Sequence, residues 1–406
     1  MPGYSFLNGL LVVEVAQLGM DALGGHLADM GARVVKIEPP LTGDPIRFAG
    51  EDAVGGPDGV GFLHLRWNRG KESVALDLRN PDGMALFRKI VARADILIEG
   101  LKGGAFDRMG IGYAALKAEN PALVYCSLSG LGLSGPYHRL RSHAVAYDAF
   151  GGLLDPDEGQ MAPVRGAYRP PSIGMHGPGL YAALAVLSAV ISAQRTGEGA
   201  FIEVAAADVA AHWTPDGLDP VVNAGKSVPR PDFLGEDGRM AGWARLAPYK
   251  TSDGRAILLE ALSLETWAKF CALVERPDLL ALDPAEMGHA AYHTAIVEAL
   301  EAIFSTHTLA QWMEMLIRHD VSAMPVNDYR TLAQDPHYAA RGNWYDAAIE
   351  GAGTLRLSGT PVRVDGTSFA PRPAPSLGQD TDGVLAEIAD LSVEDIAHLR
   401  TGRVIG

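Results

Sequence analysis

Leu11-Val12-Val13-Glu14-Val15, the stretch 20–30, and Arg33-Val34-Val35-Lys36-Ile37 decide the fold of this chain. The first and last pieces are β-branched and strand-like, while the middle piece spaces its apolar residues as a helix does. A strand, a helix and a second strand within forty residues make a βαβ unit, which sets two strands parallel. The expectation is therefore an α/β protein with a doubly wound, Rossmann-like sheet. Strand-like stretches at 74–78, 96–98, 123–127 and 201–204 extend the sheet and alternate with helices. One of these helices begins well, with Asn80 at the N-cap and Pro81 at the first helical position.

From about residue 218 the pattern loosens around Pro220, Pro229 and Pro231. Beyond it come a strand at 257–259 and helices at 264–274, 293–304 and 309–318, which read as a smaller α+β domain. The expected organisation is 1–217 for the first part of the large domain, 218–330 for the small one, and 331–406 for a return segment. The last helix, 393–399, should pack back on the large domain. A chain of 406 residues, 48% of them hydrophobic, suits two cores better than one.

A net charge of -15 argues against nucleic acid, which needs Lys and Arg gathered on one surface. Any anionic ligand must then meet a local basic cluster. Cys126 and Cys271 stand far apart without ligand spacing, which points to two buried thiols in a reducing cytoplasm and to no metal. The N-terminus lacks a signal-like segment, and no apolar run reaches the ~20 residues of a membrane span, so no membrane partner is expected.

Several motifs stand in one order along the chain: Leu7-Asn8-Gly9-Leu10, Ala28-Asp29-Met30-Gly31-Ala32-Arg33-Val34-Val35-Lys36-Ile37-Glu38-Pro39, Gly43-Asp44-Pro45-Ile46-Arg47 and Trp67-Asn68-Arg69-Gly70-Lys71. Phe106-Asp107-Arg108-Met109-Gly110, Ser127-Leu128-Ser129-Gly130, Asp335-Pro336-His337 and Leu357-Ser358-Gly359-Thr360-Pro361 continue the series. With these motifs the chain resembles, over almost its whole length, the class III CoA-transferases (the carnitine CoA-transferase and bile-acid-inducible F group, which includes α-methylacyl-CoA racemases). The resemblance implies an enzyme of CoA thioesters, coenzyme A as the bound cofactor or substrate, and a homodimer whose subunits interlock like links of a chain. It also implies an active site that takes an acyl-CoA and a carboxylic acid acceptor.

Coenzyme A carries a diphosphate and a 3′-phosphate, so an acidic protein must supply particular cations. Arg69 and Lys71 lie on the loop before a strand and are candidates for these phosphates, the alternative being a solvated basic loop. Arg108 and Met109 match a family turn that meets the CoA nucleotide. Arg141 stands where relatives place a cation, with Arg139 competing. Leu101 belongs to the adenine-side loop, where Glu99-Gly100-Leu101-Lys102-Gly103-Gly104 departs from the family's Glu-Asn-Phe-Arg-Pro-Gly.

In the family a nucleophilic aspartate lies four residues before the glycine that opens an apolar helix. Here that position is Met175, in Ser172-Ile173-Gly174-Met175-His176-Gly177-Pro178-Gly179. A thioether forms no acyl anhydride, so covalent catalysis by that route is not expected. The turn would instead present free backbone N–H groups to a ligand. His143 aligns with the histidine that the racemase branch uses as a base, and its ordinary pKa suits proton transfer beside a thioester. His176 is the candidate to replace the lost carboxylate, or else only bonds the loop backbone. Asp148 brings a carboxylate nearby, in catalysis or in structural pairing with a loop arginine. A glutamate that the small domain supplies in relatives is replaced near Ser263.

Three functions follow. The first is acid/base chemistry on the acyl group, such as epimerisation or elimination, through His143. The second is CoA transfer between carboxylic acids without an aspartyl intermediate, and the third is a catalytically silent CoA-binding subunit.

Overall fold

The computed structural model describes residues 3–55, 59–153, 172–213, 215–223 and 244–406. The stretch 169–171, expected to feed the long helix, lies outside the described residues, as do Pro229 and Pro231. Contacts divide the chain into two compact units, 1–224 with 343–406, and 225–342.

The larger unit is built on six parallel strands: β1 (Leu11–Ala16), β2 (Arg33–Glu38), β3 (Glu72–Ala75), β4 (Ile96–Gly100), β5 (Val124–Ser129) and β6 (Phe201–Ala205), in the order β3-β2-β1-β4-β5-β6. This is the doubly wound order that the opening βαβ unit implies. Helices α1 (Ala22–Asp29), α2 (Phe62–Trp67), α3 (Pro81–Val91), α4 (Val145–Phe150), α5 (Ile173–Thr196) and α6 (Ala206–His212) belong to this unit.

Alternate strand residues feed two cores because successive side chains point to opposite faces. Val13, Val35, Val74 and Leu97 pack with Phe87 and Ile90 of α3. Val12, Val34, Ile96 and Cys126 pack with Leu23 and Leu27 of α1 and with Ala182, Val186 and Val190 of α5. Helix α5 is long and apolar enough to cross a membrane, and its stripe of Ala182, Val186 and Val190 lies in the core.

The smaller unit has strands β7 (Leu246–Lys250), β8 (Ala256–Glu260) and β9 (Ala323–Pro325) in an antiparallel sheet, with helices α7 (Leu264–Leu273), α8 (His289–Phe304) and α9 (Leu309–Arg318). Its own core contains Phe270, Phe304, Trp312 and the buried Cys271. The ring of Tyr249 stacks on Phe304 at 5.4 Å. Ser263 caps α7, accepting from the Thr266 N–H at 3.0 Å, and its hydroxyl lies 2.9 Å from that of Thr266.

Two boundaries differ from expectation. A helix, Pro215–Val222, runs through residue 217, and the small unit continues to Gly342 rather than 330. Hydrogen bonds explain the second shift, since Arg255 donates to Asn327 at 2.9 Å and Asn327 to Asp335 at 3.1 Å. The return segment forms a hairpin, β10 (Trp344–Ile349) with β11 (Gly353–Ser358), then helices α10 (Thr381–Ile388) and α11 (Val393–Thr401). It covers the open edge of β3: Asp380 accepts from the Ser73 N–H at 2.9 Å, and Thr381 from that of Ala75 at 3.1 Å.

Candidate active site

The chain leaves β1 toward β2 and β3, then returns to place β4 on the other side of β1. At such a reversal the connecting loops diverge and leave a crevice at the carboxyl ends of the strands. A cavity of about 140 Å³ opens there, lined by Ala16 at the end of β1 and Gln17 after it, Glu38 at the end of β2 and Asp44 after it, and Leu101 and Met109 beyond β4.

Both walls of the crevice are held by buried charges. Behind β4, the Glu99 carboxylate accepts from the Phe106 N–H at 3.1 Å and from the Tyr125 hydroxyl at 2.6 Å. Burial pushes the Glu99 pKa up, against these hydrogen bonds. The pair fixes the loop that carries Leu101 and leads to Arg108 and Met109. Arg108 is exposed, and its guanidinium donates to the Gly103 carbonyl at 3.1 Å.

Behind β1, Lys36 is fully buried and donates to Asp44 at 2.8 Å and to the Ala16 carbonyl at 2.9 Å. Burial by itself lowers its pKa. The carboxylates of Asp44, Asp21 and Glu14 reverse this and hold its pKa well above the usual lysine value.

Arg69 and Lys71 do not face this crevice as free cations. Arg69 is buried, with its guanidinium on the Asp29 carboxylate at 2.8 and 2.6 Å. Lys71 is buried against Glu14 at 2.5 Å and the Asp21 carbonyl at 2.7 Å. Burial moves both partners of that pair toward neutrality, Glu14 up and Lys71 down. The phosphate-binding expectation for Arg69 and Lys71 is therefore corrected: their donors serve internal carboxylates. Arg139 and Arg141 remain exposed, although Arg139 contacts His138 at 3.2 Å.

The segment around position 175 also differs from its expected form. Helix α5 already starts at Ile173 and carries Pro178 inside it, so Met175 sits in the first helical turn and not on a loop. Three N–H groups of that turn are occupied, that of His176 by the Ser172 carbonyl at 3.1 Å. The Gly174 N–H donates to Asp148 at 2.7 Å and the Met175 N–H to the Ser172 hydroxyl at 3.1 Å. Asp148, buried on α4, thus caps α5, which corrects its placement among the catalytic groups.

Met175 packs with Ala22, Ile46 and Trp67. Its side chain lies 3.2 Å from where a Cβ on Gly19 would stand, so it touches the turn after β1. His176 lies beside it, 5.5 Å from the Trp67 ring. Burial and then the Arg66 charge lower the His176 pKa, with Asp148 opposing, so its imidazole is neutral near pH 7. His143 is exposed, before Ala144 with φ +37°. Among the described residues no three His, Cys, Asp or Glu side chains gather as a metal site.

The motifs quoted above omitted roles for Gln17, Lys36, Asp44 and Glu99. For Lys36 and Glu99 the signal was present, because charged residues inside strands expected to be continuously apolar call for partners; Gln17 and Asp44 lie outside the strands and carried no such signal.

The model of the CoA-transferase family III matches residues 7–381. This chain belongs to that family. It is 30% identical to the succinyl-CoA–L-malate CoA-transferase alpha subunit of Chloroflexus aurantiacus, over 98% of this chain and 92% of that protein. It is also 30% identical to the succinate–glutarate CoA-transferase of Agrobacterium fabrum, over 94% and 95%. A solved CaiB/BaiF family protein from Brucella suis superposes with a TM-score of 0.76 at 27% identity, over 95% of this chain and all of that one. The family III chain described here is accordingly an enzyme of CoA thioesters with a mixed α/β fold.

Proposed function

We propose that this family III protein transfers coenzyme A from an acyl-CoA to a carboxylic acid. The observation that carries the reading is its match, along nearly its full length, to relatives named for that transfer. The nucleotide would enter the crevice between Gln17 and Leu101, against Met109, with Arg108 and Arg141 as the exposed cations for its phosphates. Because position 175 offers no carboxylate, the acceptor attacks the thioester directly. An acceptor oxygen bonds to the acyl carbon, the carbon–sulfur bond breaks, and CoA leaves as thiolate. The thiolate then attacks the acceptor's carbonyl in the mixed anhydride and releases the donor carboxylate, so no proton is consumed overall.

A second reading rests on His176. A neutral imidazole beside the acyl end is a competent base, so His176 with His143 can exchange the α-proton of a thioester. We further infer a homodimer and a cytoplasmic location, the latter from two buried free thiols. Incubation with succinyl-CoA and other acyl-CoAs in deuterium oxide, with and without dicarboxylic acids, separates the readings by mass spectrometry. New acyl-CoA of the acceptor supports transfer, deuterium at the α-carbon supports the histidine reading, and binding without turnover of any kind refutes both.

A further inference from the structure

Gln17, which opens the turn after β1, lines the crevice, and the conformation of that turn is demanding. Leu18 adopts φ +51° and Gly19 φ +92°. A leucine in the left-handed region persists only where its surroundings impose it. Those surroundings are charges. Asp44 accepts from the Leu18 N–H at 3.3 Å, and Asp21 accepts from the Gly19 N–H at 3.0 Å. Lys36 reaches from the neighbouring strand to the Ala16 carbonyl at 2.9 Å and to Asp44 at 2.8 Å, and lies 3.6 Å from Asp21. One ammonium thus ties together the carbonyl that starts the turn and both carboxylates that hold its amide groups. Hydrophobic residues would stabilise a strand centre at lower desolvation cost, so stability alone does not account for this arrangement.

We propose that Lys36 and Asp44 are positioning residues that preset the Ala16–Gly19 turn, and with it the place of Gln17 on the crevice wall, for coenzyme A. The proposal rests on the reading that the crevice receives CoA. Lys36 is enclosed and acts through the turn, and Asp44, though it borders the crevice, is buried with its oxygens taken up by Lys36 and by the Leu18 and Ile46 N–H groups.

The test is calorimetric binding of CoA to the full chain and to Asp44→Asn, with Asp29→Asn as a control that weakens a buried ion pair away from the crevice. Asp44→Asn keeps an oxygen for the amide groups and removes the charge that orients Lys36. CoA should bind it about tenfold more weakly or worse, in line with loss of a charged hydrogen bond, while Asp29→Asn binds as the native protein does. Equal affinity in folded Asp44→Asn overturns the proposal. An amide-exchange measurement on the native protein covers the case in which the variant does not fold. The Leu18 and Gly19 amides should be protected before CoA is added, and free exchange there likewise overturns it. Native protein that binds no CoA refutes the transferase reading, and amide exchange then still judges the preset turn.

Discussion

Arg69 shows how a single side chain changes meaning once its surroundings are known. Its guanidinium holds Asp29 through two hydrogen bonds, so Arg69→Ala leaves a buried carboxylate without its cation. The expected loss is about 3–5 kcal/mol of folding stability, read as a lower urea midpoint, and the salt dependence of CoA binding should stay as in the native protein. A surface role would give the opposite pattern. His26 offers a test in pH. Burial and then the Arg69, Arg66 and Lys71 charges hold its pKa at about 4. The folded chain thus keeps His26 neutral while the unfolded chain gains a proton below about pH 6.5, so stability falls as pH drops from 6.5 toward 4. By pH 5 this residue alone should cost about 2 kcal/mol. His26→Phe should remove that share of the acid sensitivity, and an unchanged slope of urea midpoint against pH would count against the buried, neutral imidazole. Met175→Asp places a carboxylate in the first turn of α5, and hydroxylamine should then capture an acyl group that the native protein does not yield.

Between residues and the whole lie the close approaches of elements. A Cβ on Gly100 would stand 2.5 Å from the Ala16 Cβ and 2.8 Å from the Met20 Cβ, at the point where β1 and β4 part. Gly100→Ala must therefore push the crevice walls apart, with a cost of about 1–3 kcal/mol in the thermal unfolding profile and weaker CoA binding. Retained affinity would show that the ligand sits elsewhere. The strands themselves were legible because β-branched runs separated by helical spacing leave few other arrangements. The start of α5 was not, since Gly174, Gly177, Pro178 and Gly179 signal a turn by local preference. Tertiary packing overrides that preference: Gly174 lies against Tyr147, where a Cβ would approach within 2.4 Å, and Gly179 lies against α1. The same packing explains why Asp148 could not be assigned from sequence. Its partner is a backbone N–H exposed only once the helix begins at residue 173. Arg69 and Lys71 were misplaced for a related reason, because a basic loop and a buried ion-pair loop have the same sequence signature until the carboxylates of Asp29 and Glu14 are seen to face it.

At the scale of the molecule the remaining question is what covers α5. One stripe of this helix is buried through Ala182, Val186 and Val190, while Leu180, Leu184 and Ile191 on another are 52%, 69% and 51% exposed. The three lie four and seven residues apart, so they share a face, and a net charge of -15 would otherwise keep such a protein dispersed. The homodimer proposed above would seat its second copy on this apolar helical stripe. Light scattering at micromolar concentration should give a mass twice that of one chain. Leu184→Asp should shift the mass toward one chain, because a carboxylate buried at a symmetric contact meets its own copy across the axis. Circular dichroism of the variant should retain the helical signal, since Leu184 points away from the core face of α5. A native protein that scatters as a single chain would remove α5 as a dimer surface, whatever the crevice binds.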